Sequence, residues 1–460
     1  MARVSIAAYT LVLGLGVTGE SVVRHLAAHA PHEEIVAMDS RATTAHVSKV
    51  QRDLPRVRCL LGGFDQHVID GARRIIASPG IAQLDELTAS ARTHGVAVLS
   101  DIDLFADQAR APVVGITGTN GKSTVTTLVG QLLAAAGRRV AVGGNLGTPA
   151  LNLLASDVDV YVLELSSFQL DITNNLRCVA ATVLNVTPDH LDRYGDLAAY
   201  AASKQRIYGG AETAVFNRAD AATVPRDSAK ARSQVSFGLD APATNQFGVR
   251  VQNGRRLLCE GAADIVASDE LQVRGTHNEA NVLAALALVR ALGGVDLQAT
   301  VPVLREFAGL PHRCQPVGRI RNVEFINDSK ATNEGAALAA LAGVGESSRG
   351  RIVLIAGGDG KGSDFHDLVV ALPGPVRALV TIGRDGPRLG AAVGNRVAQH
   401  AAGDLATAVR LAFAAAKPGD CVLLAPACAS LDQFRNFEHR GQVFAEQVQL
   451  LAAELGETRV

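Results

Sequence analysis

The stretch Gly115-Ile116-Thr117-Gly118-Thr119-Asn120-Gly121-Lys122-Ser123-Thr124 carries the most explicit chemistry in the chain. An apolar run, Pro112-Val113-Val114, precedes it, and Val125-Thr126-Thr127-Leu128-Val129 follows at helical spacing. This pattern predicts a strand, a glycine turn and a helix start. Main-chain N–H groups freed by such a turn, together with the helix N-terminus, form an anion site. Lys122 can then reach the β- and γ-phosphates of a nucleoside triphosphate, and the Ser123 hydroxyl can hold Mg²⁺. The general phosphate-loop pattern asks for Gly five residues before Gly121, where this chain has Ile116, so the loop is the shorter Gly-x-x-Gly-Lys-Ser-Thr form.

Other reactive side chains collect where apolar runs end. Open α/β sheets bind ligands at the carboxyl ends of their strands. Val158 to Leu165 ends at Glu164, and Ala180 to Val186 ends at Thr187-Pro188-Asp189-His190. A buried Glu164 needs a partner, and Mg²⁺ beside Ser123 would be one. His190 reads equally as a metal ligand or as a helix-start residue. Lys204, on a polar helix from Leu197 to Tyr208, reads by spacing alone as a solvated lysine. Further on, Asn327-Asp328-Ser329-Lys330, Gly357-Gly358-Asp359-Gly360-Lys361 and Ala427-Cys428-Ala429-Ser430-Leu431-Asp432 each close a strand. Turn chemistry accounts for the glycines and Asp359. A lysine and several hydroxyls on one sheet edge suit a carboxylate-bearing substrate.

The elements that hold these residues read as three α/β units in series. A chain of 460 residues exceeds what a single core supports. The first unit opens with a strand, Tyr9 to Leu13, then Gly14-Leu15-Gly16-Val17-Thr18-Gly19, a helix through Val22 to Leu26, and a strand from Ile35 to Met38 ending at Asp39. Alone, this Gly-x-Gly-x-x-Gly with a following acid reads as a dinucleotide site. Strand signals at Val57 to Leu61 and Ile75 to Ala77 lead to the Ser78-Pro79-Gly80 turn. The segment from Ala214 to Gly275 alternates and suggests antiparallel strands, and His277 to Leu292 reads as a helix with Val282, Leu286 and Val289 on one face. Beyond the hinge Leu310-Pro311-His312-Arg313, strands at Val323 to Ile326, Ile352 to Ala356, Ala378 to Ile382 and Val422 to Ala425 alternate with helices. The expected domains are 1–100, 101–309 and 310–460.

Composition narrows the partners. Hydrophobic residues are 48%, charged residues 19% and the net charge is −1, so neither a nucleic-acid surface nor a polybasic membrane patch is expected. The six cysteines are scattered without a Cys-x-x-Cys pair and read as buried free thiols in a reducing compartment. No signal peptide or bilayer-length apolar run is evident. A cytoplasmic, monomeric protein acting on small molecules is expected.

The motifs Gly118-Thr-Asn-Gly-Lys-Ser-Thr124, Leu163-Glu-Leu-Ser-Ser-Phe-Gln169, Asn185-Val-Thr-Pro-Asp-His190, His277-Asn-Glu-Ala-Asn281, Leu310-Pro-His-Arg313 and Asn327-Asp-Ser-Lys-Ala-Thr-Asn333 occur in this order. In that order and spacing the chain resembles the Mur ligases. Its segments Gly357 to Asp364 and Pro426 to Phe434 resemble the D-glutamate-adding members. The resemblance implies a Rossmann-like N-terminal domain, a central P-loop ATPase-type domain and a Rossmann-like C-terminal domain. It implies ATP- and Mg²⁺-dependent joining of D-glutamate to UDP-N-acetylmuramoyl-L-alanine through an acyl phosphate. It assigns the UDP substrate to Gly14, Val17, Thr18, Asp39, Ser40, Arg41, Ser78 and Asn145, and ATP to Gly118 through Thr124, Asn278, Asn281, Arg313 and Asp328. Lys122, His190, Lys204 and Lys330 would be catalytic. The metals would lie at Ser123 and Glu164, and at His190 and a carbamate on Lys204. Thr332, Lys361, Ser430, Leu431 and Phe437 would form the glutamate pocket. Glu334 departs from the expected small apolar residue and puts an extra carboxylate beside that pocket. Three rival readings stay open at this point: the same ligation with L-glutamate, a NAD-dependent oxidoreductase resting on the first glycine motif, and a P-loop ATPase without ligation.

Overall fold

A computed structural model describes residues 9–81, 83–226, 231–273, 275–347 and 350–457. The apolar runs of the first unit form β1 (Tyr9–Leu13), β2 (Glu34–Asp39), β3 (Arg58–Leu61), β4 (Arg74–Ala77) and β5 (Ala97–Leu99). They make a parallel sheet of order β3-β2-β1-β4-β5, whose order reverses beside β1. The Gly14–Gly19 turn leaves the carboxyl end of β1 at that switch point, where such sheets hold ligands.

The second sheet contains β6 (Val113–Thr117), β7 (Val140–Gly144), β8 (Val160–Glu164), β9 (Ala180–Val183), β10 (Thr213–Asn217), β11 (Ser233–Phe237), β12 (Phe247–Gln252), β13 (Arg255–Glu260) and β14 (Ala263–Ala267). Its order is β14-β13-β12-β11-β10-β9-β6-β8-β7. Every residue of β6, β8 and β9 is buried, as expected for parallel strands covered on both faces. Antiparallel pairing begins at β12 and runs through β13 to β14, while β10 and β11 remain parallel. The alternation read from the sequence therefore belongs to an edge of the sheet. Helix Thr276–Leu292 is buried continuously from Asn281 to Val289, because it lies between the sheet and helix Lys122–Ala135. A helix apolar all round is a core helix.

The third sheet comprises β15 (Gln315–Ile320), β16 (Val323–Asn327), β17 (Ile352–Gly357), β18 (Val376–Ile382), β19 (Ala398–Gly403) and β20 (Cys421–Leu424), in the order β15-β16-β20-β17-β18-β19. Only β15 runs antiparallel, paired with β16. The fold is thus three consecutive α/β units, the outer two Rossmann-like and the central one carrying the nucleotide-type loop. Among the described residues no helix is long and apolar enough to cross a membrane, and all six cysteines are free thiols.

Candidate active site

The glycine turn forms as its residue types dictate. Gly121 has φ +82°, a left-handed conformation open to glycine, and an added Cβ would collide with Asn281 Oδ1. The loop is held from the neighbouring strand end: Thr119 N donates to Asn185 O at 2.9 Å and Asn120 N to Asn185 Oδ1 at 2.8 Å. Asn185 Nδ2 donates back to Asn120 O at 3.0 Å. Ile116, at the departure from the general pattern, is a fully buried core residue of β6. Lys122 Nζ folds over the loop and donates to Gly118 O at 2.9 Å and Thr119 O at 2.8 Å. Burial pushes its ammonium pKa down, against the support of Glu164.

Glu164, beside this loop, is placed for a cation. It is 3% exposed; its Oε1 accepts from Asn145 Nδ2 at 2.8 Å, while Oε2 is buried with no hydrogen-bond partner. An orphaned carboxylate oxygen is costly, and a bound cation satisfies it. Among the described residues no three His, Cys, Asp or Glu side chains gather as a metal cage. Mg²⁺ that arrives with a nucleotide takes one or two carboxylates and completes its shell with phosphate and water, so Ser123 and Glu164 fit it. Asn145, expected to hold substrate, spends its side-chain amide on Glu164 and thereby orients the carboxylate.

Lys204 contradicts the reading of a solvated lysine: it is 1% exposed. Its Nζ donates to Gly118 O at 2.9 Å, the same carbonyl that Lys122 uses, and lies 4.4 Å from the centre of the Tyr200 ring. No spacing in the sequence signals this; Lys204 lies on the buried face of the helix with Tyr200, Ala201 and Ser203. Burial, then the neighbouring Lys122 charge, holds its pKa well below the usual lysine range. His190 has φ +55° and opens the turn Leu191–Tyr194, its ring packed against Phe168 at 4.8 Å and its Nε2 3.7 Å from Asp189 Oδ2.

The third sheet closes over this edge. Arg313 Nη2 donates to Ser123 Oγ at 2.9 Å. Asn333 Nδ2 donates to Asp189 Oδ2 at 3.0 Å, and Lys361 Nζ is 3.5 Å from Asp189 Oδ1. Burial opposes ionisation of Asp189, yet Lys361 and His190 bring its pKa below the usual value. Lys330 Nζ lies 4.1 Å from the Phe437 ring centre; burial and the Arg313 and Lys122 charges lower its pKa to about 8. Burial raises Asp328 to about 6, although Cys314 N donates to its Oδ1 at 3.1 Å.

These groups face one cavity of about 720 Å³, lined by the phosphate loop, Asn145, Glu164, His190, Lys204, Asn278, Asn281, Arg313, Asp328, Lys330, Thr332 and Lys361. Pro79 and Gly80 from the first unit line its far end. Ser430, Leu431 and Phe437 are not among its lining residues; Ser430 is buried and Leu431 is 72% exposed. Gly14, Val17, Thr18, Asp39, Ser40, Arg41 and Ser78 lie apart from the cavity lining, around the switch point of the first sheet. There Ser78 Oγ donates to Gly14 O at 3.0 Å. Asp39 Oδ2 accepts from Leu15 N and from Arg41 Nη2, both at 2.7 Å, while Arg41 Nε reaches Oδ1 at 2.8 Å. Those Arg41 bonds hold Asp39 at a pKa of about 2. A dinucleotide site needs this acid for a ribose hydroxyl; here both oxygens are committed, which weakens the nicotinamide reading.

Sequence reasoning missed Asn185, Asn333 and Arg440. The first two stood inside quoted motifs at strand ends, a signal that could have flagged them. Arg440 is fully buried and donates to Ser329 O at 2.8 Å and Cys428 O at 3.1 Å, tying two strand-end loops together. No local pattern announces it.

Comparison with known proteins fits this geometry. Family profiles match in order: the Mur ligase MurD-like N-terminal domain over residues 8–100, the Mur ligase middle domain over 116–289 and the Mur ligase glutamate ligase domain over 312–428. The UDP-N-acetylmuramoylalanine–D-glutamate ligase of Pseudomonas fluorescens is 47% identical, with 96% of this chain and 98% of that protein aligned. The protein of the same name from Legionella pneumophila is 46% identical over 95% of this chain and 98% of its own length. Among solved structures, a pseudomurein peptide ligase type C from Methanothermus fervidus superposes with a TM-score of 0.63 at 18% identity, covering 96% of this chain and all of that one. The UDP-N-acetylmuramate-alanine ligase MurC of Thermotoga maritima gives 0.61, also at 18% identity, over 96% of this chain and 99% of its own. These distant likenesses concern the fold; the near relatives and the three ordered profiles decide the family. The chain belongs to the Mur ligase family, with an N-terminal domain of that family's MurD-like kind.

Proposed function

We propose that this chain joins D-glutamate to UDP-N-acetylmuramoyl-L-alanine with ATP, in peptidoglycan precursor synthesis. One observation carries the chemistry: a phosphate loop, an orphaned Glu164 oxygen and the lysines 122, 204, 330 and 361 share a single cavity. We assign the UDP end of the substrate to residues 1–100, ATP to 101–309 and glutamate to 310–460. Mg²⁺, held by Ser123 and Glu164 and by His190 with a Lys204 carbamate, would neutralise phosphate charge and orient the phosphoryl group.

A carboxylate is a poor acyl donor. Its oxygen first takes the γ-phosphoryl group of ATP, giving an acyl phosphate and ADP. Phosphoryl transfer depends chiefly on positioning and charge neutralisation, which Lys122, Lys330 and Arg313 supply. The amine of glutamate then attacks the acyl carbon, and phosphate leaves from the tetrahedral intermediate. The links Arg313–Ser123, Asn333–Asp189 and Lys361–Asp189 support a closed arrangement that keeps water from the acyl phosphate. The decisive experiment measures phosphate release from ATP with UDP-N-acetylmuramoyl-L-alanine and D-glutamate, L-glutamate or neither. Release dependent on D-glutamate is expected. Release without an amino acid would leave an ATPase, and preference for L-glutamate would reverse the stereochemical assignment.

Of the residues assigned to glutamate, Thr332 and Lys361 line the cavity, while Ser430, Leu431 and Phe437 stand outside its lining. Lys361→Ala should raise KM for glutamate about tenfold or more while KM for ATP changes little, because the lost ammonium serves a carboxylate. Equal effects on both constants would move Lys361 out of the pocket.

Lys330 gives a pH signature. Its ammonium loses a proton near pH 8 in the ligand-free fold, because burial, Arg313 and Lys122 disfavour the charge more than Glu164 and Glu438 support it. The free enzyme's kcat/KM for ATP should therefore fall above that pH, approaching about tenfold per unit. Lys330→Arg, with a guanidinium that stays charged, should flatten this limb. An unchanged limb in that variant would assign it to another group.

A further inference from the structure

Glu334 puts a carboxylate beside the proposed glutamate pocket, and its surroundings give that charge a use. It opens helix Glu334–Ser347, directly after Asn333 and two residues after Thr332. Its carboxylate is not among the groups that line the cavity. Oε1 accepts from Leu368 N at 2.6 Å, and Oε2 accepts from Ser363 Oγ at 3.0 Å. Leu368 lies in the first turn of helix His366–Ala371, where main-chain N–H groups have no partner within the helix. The Ser363 hydroxyl accepts in turn from Phe365 N at 3.1 Å. One carboxylate therefore fixes the segment that follows Lys361.

Other bonds also hold the segment: Lys361 N donates to Asp359 Oδ1 at 3.0 Å, and Arg388 Nη2 donates to Gly362 O and Ser363 O. Gly360 N donates to Asp385 Oδ2 at 2.7 Å, and Ser363 N to Gly360 O at 2.9 Å. Lys361 stands between them with φ +49°, a conformation that a lysine holds only when its neighbours impose it. Its Nζ reaches Asp189, which also receives Asn333, the residue next to Glu334. Glu334 thus closes a ring through Asn333, Asp189, Lys361 and Ser363.

We infer that Glu334 is a positioning residue for glutamate: it sets the Lys361 turn against the Thr332 turn and does not touch substrate. The inference rests on the glutamate pocket proposed above. It turns an apparent obstacle, a negative charge beside an anion pocket, into a brace whose charge is spent on main-chain and hydroxyl donors.

The test compares the wild type with Glu334→Ala, Glu334→Gln, Lys361→Ala and the Glu334→Ala/Lys361→Ala double variant, reading kcat, both KM values and melting temperature. Glu334→Ala should raise KM for D-glutamate about tenfold, equivalent to about 1.4 kcal/mol, with KM for ATP within about twofold. Glu334→Gln should regain most of the affinity, because an amide oxygen can still accept from Leu368 N. The double variant should be no worse than Lys361→Ala alone, since residues acting through one another are not additive. Additive effects, an equal rise in both KM values, or no change in Glu334→Ala would overturn the inference. If Lys361→Ala leaves KM for glutamate untouched, the pocket itself fails and the inference with it. Should Glu334→Ala not fold, Ser363→Ala removes one arm of the brace; it should raise the same constant, and no rise would count against the brace.

Discussion

Lys122→Ala is expected to cut ligation about a thousandfold, some 4 kcal/mol of transition-state stabilisation. Charge accumulates on the transferring phosphoryl group, and a cation already aimed at the loop offsets it without reorganising during the reaction. Lys122 is so aimed: its ammonium donates to the loop carbonyls of Gly118 and Thr119, which holds it over the glycine turn. The fold should survive the substitution. Asn185 and Thr187 brace the loop through Thr119 and Asn120, and none of those bonds involves Lys122. Phosphate release and melting temperature, measured together, give the answer. A variant of wild-type stability with near-normal turnover would strip Lys122 of its assigned role.

What the sequence disclosed follows a physical divide. Strands buried on both faces are near-continuous apolar runs, so β1, β4, β6, β8, β9, β16, β17, β18 and β20 were legible, and with them the polar residues at their carboxyl ends. Strands β5, β7, β15 and β19 were not. Three residues of β5 are too few to show a period, β7 ends in two glycines, and β15 and β19 are half-exposed edges with polar or small residues. The helix expected from Leu197 to Tyr208 stops at Gln205 and tightens into a 3₁₀ turn at Arg206–Gly210.

At the site, local motifs reveal donors but not who receives them. Asp39 at the end of β2 reads as the acid of a nucleotide-binding turn, and the fold adds Leu15 N and Arg41 as its donors. Glu334 looked like an intrusion into the glutamate pocket, and only the fold brings Ser363 and Leu368 to it. Apart from Arg41, two residues from Asp39, these partners are separated by tens of residues, beyond the reach of any sequence periodicity. The same reason explains Arg440, whose acceptors come from two different strand ends.

Lys204→Ala should lose most activity, about a hundredfold or more, while keeping its fold. The proposed carbamate follows from what burial does to an amine. An ammonium taken from water beside another cation is disfavoured, which shifts the balance toward the neutral amine. Burial and Lys122 push Lys204 in that direction, and its few acceptors include no carboxylate at hydrogen-bond distance. A neutral amine can add to CO₂, forming an N–C bond and releasing a proton, and the resulting anion presents oxygen, the donor Mg²⁺ prefers. The alanine variant vacates the space beside the proposed metal, so a small carboxylate such as acetate should restore part of the rate. Depleting bicarbonate should slow the wild type and leave Lys204→Ala unaffected. Full activity in the variant, or a wild type indifferent to bicarbonate with no rescue by acetate, would leave Lys204 as a buried cation that merely braces Gly118.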